Sequence, residues 1–338
     1  MQTKLWKVIE QQGIQEAAAL LKNGEAVAFP TETVYGLGAD ATSETAVAKI
    51  FQAKGRPADN PLIAHVATKE QLEKLVSAIP PFVDKLINAF SPGPLTYVLP
   101  SNGRCAENVT AGLSTIGVRM PSHPVSQMLL RECDIPIAAP SANISGKPSP
   151  TTAEHVWQDL NGKIAGVLDG GPTGVGLEST VIDCTGEIPI VLRPGGITSE
   201  QLEQVIGRIM VDPALANTDR RPKAPGMKYR HYAPEVPMWL VEGSAKELQT
   251  VITREQKNYD RIGVMASNET ASLVTADQMI ALGAKESLAE IAANLYDALR
   301  TFKEGDIDLI LCETFPEAGI GRAIMNRLKK AASVYVQE

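Results

Sequence analysis

FPTETVYGLGAD, Phe29 to Asp40, followed by KGRPADNPL, Lys54 to Leu62, is the stretch on which the reading of this chain turns. The apolar run Ala26–Phe29 predicts a strand. Pro30 cannot donate to a β-ladder, so the strand ends there. Hydroxyls and a carboxylate follow in Thr31-Glu32-Thr33. Gly36 and Gly38 read as turn glycines, able to bend the backbone tightly. A helix over about Ser43–Ala53 then delivers Lys54, Arg56 and Asn60 into a loop stiffened by Pro57 and Pro61. Two cations and an amide in a stiff loop have the chemistry of an anion site; a solvated surface turn is the alternative.

The same arrangement recurs along the chain. Apolar strands are expected at Leu62–Val66, Leu95–Leu99, Ile116–Arg119, Ile135–Ala139, Gly166–Asp169, Thr180–Asp183 and Ile190–Arg193, several of them ending in Pro, Ser, Thr or Asn. Helices are expected at Gln11–Lys22, Lys69–Ile79, Pro81–Phe90, His123–Glu132, Thr152–Leu160 and Ser199–Ile209, the last with Ser199 as N-cap. In α/β sheets the chemistry gathers at strand ends, so Thr33, Arg119, Ser141, Asn143, Ser179 and Arg193 are candidates for one composite site. Arg119 lies in an apolar strand, and a buried guanidinium needs a carboxylate. Glu32 or a ligand would supply it.

At 338 residues, two domains are expected. Residues 1–210 form the first and 237–338 the second, where strands alternate with helices in the pattern of a small parallel α/β domain. Between them, 211–236 is a basic, proline-rich linker that reads either as a tether or as a lid over an anion. The net charge of -7 argues against bulk nucleic-acid binding. The four cysteines have no zinc or disulfide spacing, and the four histidines form no close pair, so no protein-built metal site is expected. No signal-peptide core and no membrane span stands out, which points to a soluble cytoplasmic protein. GLGADA fits a dinucleotide fingerprint poorly, and GPTGVG lacks the Lys-Ser/Thr of a P-loop.

Taken together, PTETVYGLGAD, KGRPADNPL, STIGVRMP, APSANISGKPSPT, GLESTVID and LRPGGI closely resemble the YrdC-like domain of threonylcarbamoyl-adenylate synthases. PGMKYRHYAP and GIGRAIMNRLKKAAS resemble the long, two-domain form of that family. The resemblance implies a twisted, open, mixed α/β sheet with a basic concave cavity, followed by a small Rossmann-like parallel α/β domain. It implies synthesis of threonylcarbamoyl-AMP and pyrophosphate from L-threonine, bicarbonate or CO2, and ATP, with Mg²⁺ held mainly by the phosphates. Downstream transfer enzymes would carry the group to adenosine 37 of tRNAs that read codons beginning with A. Position by position, it implies that Thr33, His65, Arg119, Ala139 (through its backbone) and Ser179 hold threonine. Lys54, Arg56, Asn60, Thr115, Ser141, Asn143, Ser149 and Arg193 would surround ATP, with Lys54 and Arg56 offsetting charge during catalysis. Tyr229, Arg230 and His231 would fold over the cavity. No stable nucleic-acid complex and no membrane partner is implied. The competing reading is an RNA- or ribosome-binding module with a basic concave surface. The lack of a row of stacking aromatics speaks against it.

Overall fold

The computed structural model describes residues 2–7, 11–213, 232–303 and 305–337. Tyr229, Arg230 and His231 lie outside these residues. The chain divides into two compact units. The first holds most of the chain before residue 214 and the second most of it after 231, with Gly146–Pro148 and Val175–Leu177 also grouped in the second.

The first unit is built on strands β1 (Lys4–Lys7), β2 (Val27–Phe29), β3 (Gly36–Asp40), β4 (Ile63–His65), β5 (Leu95–Pro100), β6 (Thr115–Arg119), β7 (Ile137–Ala138), β8 (Gly166–Asp169), β9 (Thr180–Asp183), β10 (Ile190–Arg193) and β11 (Met210–Val211). They form one sheet in the order β1-β8-β2-β3-β7-β4-β6-β5-β9-β10-β11. Pairing is mixed: β4 runs parallel to β6, whereas β7 runs antiparallel to β3 and β4. This is the mixed α/β sheet expected.

Both faces are covered. Side chains alternate along a strand, so Val27 and Phe29 join one core with Leu21, Leu129 and Ile137, and Ala28 points into the other with Leu37, Ile50 and Val156. The first core is closed by helices Gln11–Lys22 and Pro124–Cys133.

Three expectations change. Gly36 and Gly38 do not make a turn; they lie inside β3, antiparallel to β2. A Cβ on Gly38 would sit 2.8 Å from both Ile137 Cγ2 and Phe29 Cε1, so glycine is there to admit a ring and not to bend the chain. The helix expected over Lys69–Ile79 stops at Glu73. Beyond it the backbone pairs with the end of β5, through Ser77 N to Pro100 O and Asn102 N to Leu75 O, and tertiary pairing overrides helical periodicity. The cap of helix Ser199–Ile206 is Thr198, one residue earlier than expected, in a capping box with Gln201.

In the second unit, β12 (Met238–Val241), β13 (Ile262–Ala266), β14 (Gln278–Ala281), β15 (Leu309–Glu313) and β16 (Val334–Val336) form a second sheet, ordered β14-β13-β15-β12-β16. All its pairings are parallel, as the strand–helix alternation predicts. Its core includes Leu248, Val251, Ile252, Val264 and Leu311.

Candidate active site

Consecutive strands of the first sheet bring the candidate residues together. In the parallel pair β4–β6, His65 is in register with Arg119. Thr96 of β5 is opposite Arg119 on its other side. Neighbouring register positions share a face of the sheet. Ser179, just ahead of β9, reaches Thr96 by a 2.8 Å hydroxyl contact. Arg193, at the end of β10, donates to Ser179 O from Nε (3.1 Å) and Nη2 (2.9 Å), and from Nη2 to Ser179 Oγ at 3.1 Å.

Arg119 is the most constrained member. It is buried, yet Nη2 donates to Glu32 Oε1 at 2.6 Å, Nη1 to Thr33 Oγ1 at 2.9 Å and Nε to Gly93 O at 3.3 Å. Glu32 is the carboxylate the buried charge required. Its other oxygen accepts from Ser122 N at 3.0 Å. A guanidinium carries five N–H donors. The three contacts leave one N–H on each terminal nitrogen, the number a carboxylate accepts in a fork.

His65 lies against the edge of the Phe29 ring, with centroids 6.1 Å apart. Burial, and then the nearby Arg119 charge, lower its pKa from about 6.5 to about 3. It is therefore neutral at physiological pH, with Nδ1 3.2 Å from Ile63 O. Ala139 uses its amide on Ile63 O at 2.9 Å, so the carbonyl is the backbone group it can offer a ligand.

A second cluster surrounds the helix Glu44–Lys54. Ser43 caps its start by accepting from Ala46 N, and Gly55 ends it in the left-handed region at φ 61°. These signals place Lys54 on the last turn and Arg56 just beyond. Lys54 is 2% exposed, with its ammonium turned inward. It donates to Ser141 O and, at 2.6 Å, to Asn143 O. Ser141 Oγ in turn donates to Asn143 Oδ1 at 2.5 Å, and Asn143 Nδ2 to Ile144 O at 2.8 Å. The lysine thus braces the Ser-Ala-Asn turn. Arg56 Nη2 donates to Asn60 O (3.2 Å) and Pro61 O (3.3 Å). Asn60 is buried, and its Oδ1 has no hydrogen-bond donor among the described residues. Thr115 lines a narrow pocket with Pro61, Thr96, Thr110 and Val181. Ser149 donates to the buried carboxylate of Glu178 at 2.5 Å.

Thr31, Thr96 and Glu178 do not stand out in the sequence as site residues. Thr96 carries a signal, a hydroxyl in an apolar strand; Glu178 is visible only once Ser149 is seen beside it. All four cysteines are buried, and burial raises the Cys105 thiol to about 11 and Cys133 to about 12, which removes them as nucleophiles. Among the described residues no group of three or more His, Cys, Asp or Glu could hold a metal, and no helix is long and apolar enough to cross a membrane.

Residues 19–195 match the family model described as "Telomere recombination", and 197–333 the model "Threonylcarbamoyl-AMP synthase, C-terminal domain". A Bacillus subtilis protein named threonylcarbamoyl-AMP synthase is 52% identical over 340 residues, covering 98% of each chain. The chain belongs to the threonylcarbamoyl-AMP synthase family. Among relatives of that name, one from Pyrococcus abyssi is 48% identical over 96% of this chain and 95% of its own. The crystal structure of P. abyssi Sua5 complexed with L-threonine superposes with a TM-score of 0.92 at 46% identity, covering 99% of both chains. The two family models meet near residue 196, and the fold is shared with the P. abyssi protein along the length of the chain. Escherichia coli YciO, at 22% identity, shares the fold over 57% of this chain and 94% of its own, with a TM-score of 0.51.

Proposed function

We propose that this protein is an L-threonylcarbamoyladenylate synthase, a nucleotidyltransferase that consumes L-threonine, bicarbonate or CO2, and MgATP and releases pyrophosphate. The observation that carries this reading is the buried Arg119, held by Glu32, Thr33 and Gly93 with two N–H groups to spare, in a chain similar along its length to a protein crystallised with L-threonine. The threonine carboxylate would take those two donors. Thr33, neutral His65, the Ala139 carbonyl and Ser179 would line the rest of the amino-acid site. Arg56, Asn60, Thr115, Ser141, Asn143, Ser149 and Arg193 would receive ATP. Lys54 would serve them by bracing the turn and by adding positive charge near the phosphates.

In the reaction the threonine amine adds to the carbon of CO2 and loses a proton, giving a carbamate. A carbamate oxygen then attacks the α-phosphorus. The bond from that phosphorus to its bridging oxygen breaks, and pyrophosphate leaves with the electron pair. The carbamate is already anionic, so this step needs positioning and charge stabilisation more than a base. Mg²⁺ arrives with the nucleotide, held through phosphate oxygens. The product would feed N6-threonylcarbamoylation of adenosine 37 in tRNAs reading ANN codons, through separate transfer enzymes in the cytoplasm.

The test is threonine-dependent pyrophosphate release in the presence of ATP, bicarbonate and Mg²⁺. Release that requires threonine supports the reading. Its absence, together with salt-sensitive RNA binding, would favour the RNA-binding alternative.

A further inference from the structure

The contacts around Thr31 set the direction of a chain of protons. Thr31 Oγ1 is 2.7 Å from Val34 O. A carbonyl has no proton to give, so the Thr31 hydroxyl donates there. Its oxygen also faces Thr33 N at 3.1 Å and Val34 N at 3.3 Å, which share one of its two lone pairs and leave the other for the Thr33 hydroxyl. The hydroxyls of Thr31 and Thr33 are 2.8 Å apart. Thr31 has spent its only proton, so Thr33 must supply the one in this contact. Thr33 Oγ1 in turn accepts from Arg119 Nη1 at 2.9 Å. The order is Arg119 to Thr33 to Thr31 to Val34 O, each hydroxyl donating once. Thr31 and Thr33 are 2% and 0% exposed, so water does not compete freely for these bonds.

We propose that Thr31 is a positioning residue for amino-acid recognition. Acting through Thr33, it keeps Thr33 an acceptor, which fixes the guanidinium of Arg119. It also restricts Thr33, towards any substrate, to accepting from an N–H or O–H group. Thr33 then cannot bind a carboxylate oxygen. The carboxylate is left to Arg119, and the donor end of the amino acid, its amine or hydroxyl, is directed to Thr33. Without the Thr31 hydroxyl, the Thr33 proton loses its acceptor and can rotate towards the ligand, where it would favour the wrong end. This inference rests on the reading that Arg119 takes the substrate carboxylate.

The test compares wild type, Thr31→Val, Thr31→Ser, Thr33→Val and the Thr31→Val/Thr33→Val double variant. Threonine affinity is measured by calorimetry, and KM and kcat from pyrophosphate release. Thr31→Val should raise the KM for threonine about tenfold, the effect of losing one well-made hydrogen bond, with the KM for ATP and kcat within about twofold of wild type. Thr31→Ser should restore threonine KM. Because Thr31 acts through Thr33, the double variant should be no weaker than Thr33→Val alone, whereas independent roles would multiply. Should Thr31→Val fail to fold, Thr31→Cys carries the test: it keeps a side chain of similar size, replaces the hydroxyl by a thiol that is a weak donor and acceptor, and should show the same selective rise in threonine KM. An equal rise for ATP, multiplying effects, or a Thr31→Val protein with wild-type threonine KM overturns the inference. A wild-type protein that binds no threonine overturns the proposed function as well, while threonine binding that Thr31→Val leaves unchanged overturns the inference alone.

Discussion

Replacing Arg119 with lysine separates charge from geometry at the proposed carboxylate site. Arg119 holds Glu32 at 2.6 Å, Thr33 at 2.9 Å and Gly93 O at 3.3 Å while keeping two N–H groups for a ligand. Lysine has the same charge but one nitrogen, and it cannot span these partners and present a fork. Its ammonium can stay with Glu32 or turn to the substrate, and either choice forfeits at least one charged hydrogen bond to the ligand. Such a bond contributes about 1.5–3 kcal/mol. At about 1.4 kcal/mol per tenfold, the threonine affinity should fall by roughly 10–150-fold. The KM for ATP should change little. The assay is a threonine titration of pyrophosphate release, paired with calorimetric threonine binding and a urea unfolding curve. An Arg119→Lys protein that folds stably and keeps threonine KM within about threefold of wild type would refute the assignment of Arg119 as the carboxylate anchor, because that role requires both terminal nitrogens.

Three further outcomes follow from the geometry. His65 has a folded pKa depressed to about 3 from an ordinary value near 6.5, so the unfolded chain binds its proton more readily; the stability His65 permits is complete above pH 6.5 and is lost as pH falls towards 3, by up to about 1.4 kcal/mol per pH unit, and urea midpoints at pH 7 and 5 should draw together in His65→Asn. Lys54→Met removes an ammonium from the carbonyls of Ser141 and Asn143, so the unfolding free energy should drop by about 2–4 kcal/mol together with turnover; unchanged values of both in one preparation would show the brace to be dispensable. Gly38→Ala should lower stability by about 1–3 kcal/mol through overpacking against Phe29 and Ile137, and adding Phe29→Leu should recover part of the loss, measured by thermal unfolding.

What could be read from the sequence, and what could not, divides along the range of the interaction. Helix Glu44–Lys54 was legible because its signals are local: Ser43 at one end, Gly55 at the other. The need of Arg119 for a carboxylate was legible because burying a charge is costly in any fold. The strand β3 was not, because glycine signals freedom of the backbone, while Gly38 answers a demand from two side chains, one of them nearly 100 residues away. Lys54 shows the same limit. A lysine beside a glycine in a proline-bounded loop looks solvent-facing, and only the folded chain shows two carbonyls nearly 90 positions later waiting for its ammonium. The polarity of the Thr31–Thr33 pair depends on which neighbours have protons to give, and no spacing rule encodes that.

The sheet of the first unit is open, so it ends in two strand edges that could pair with another molecule. At one, β1 carries Lys4 and Lys7 across four residues; at the other, β11 is only two residues long. Charge and brevity are the usual protections against edge-to-edge aggregation. The edge strand β16 of the second sheet has neither lysine nor proline: Val334 and Tyr335 are 41% and 42% exposed, with Val336 completing an uncharged run. If this protein self-associates on storage or at high concentration, the physics of unpaired strands directs attention to that C-terminal edge, far in sequence from the residues that do the chemistry. A single lysine at Val334 is the economical way to blunt it.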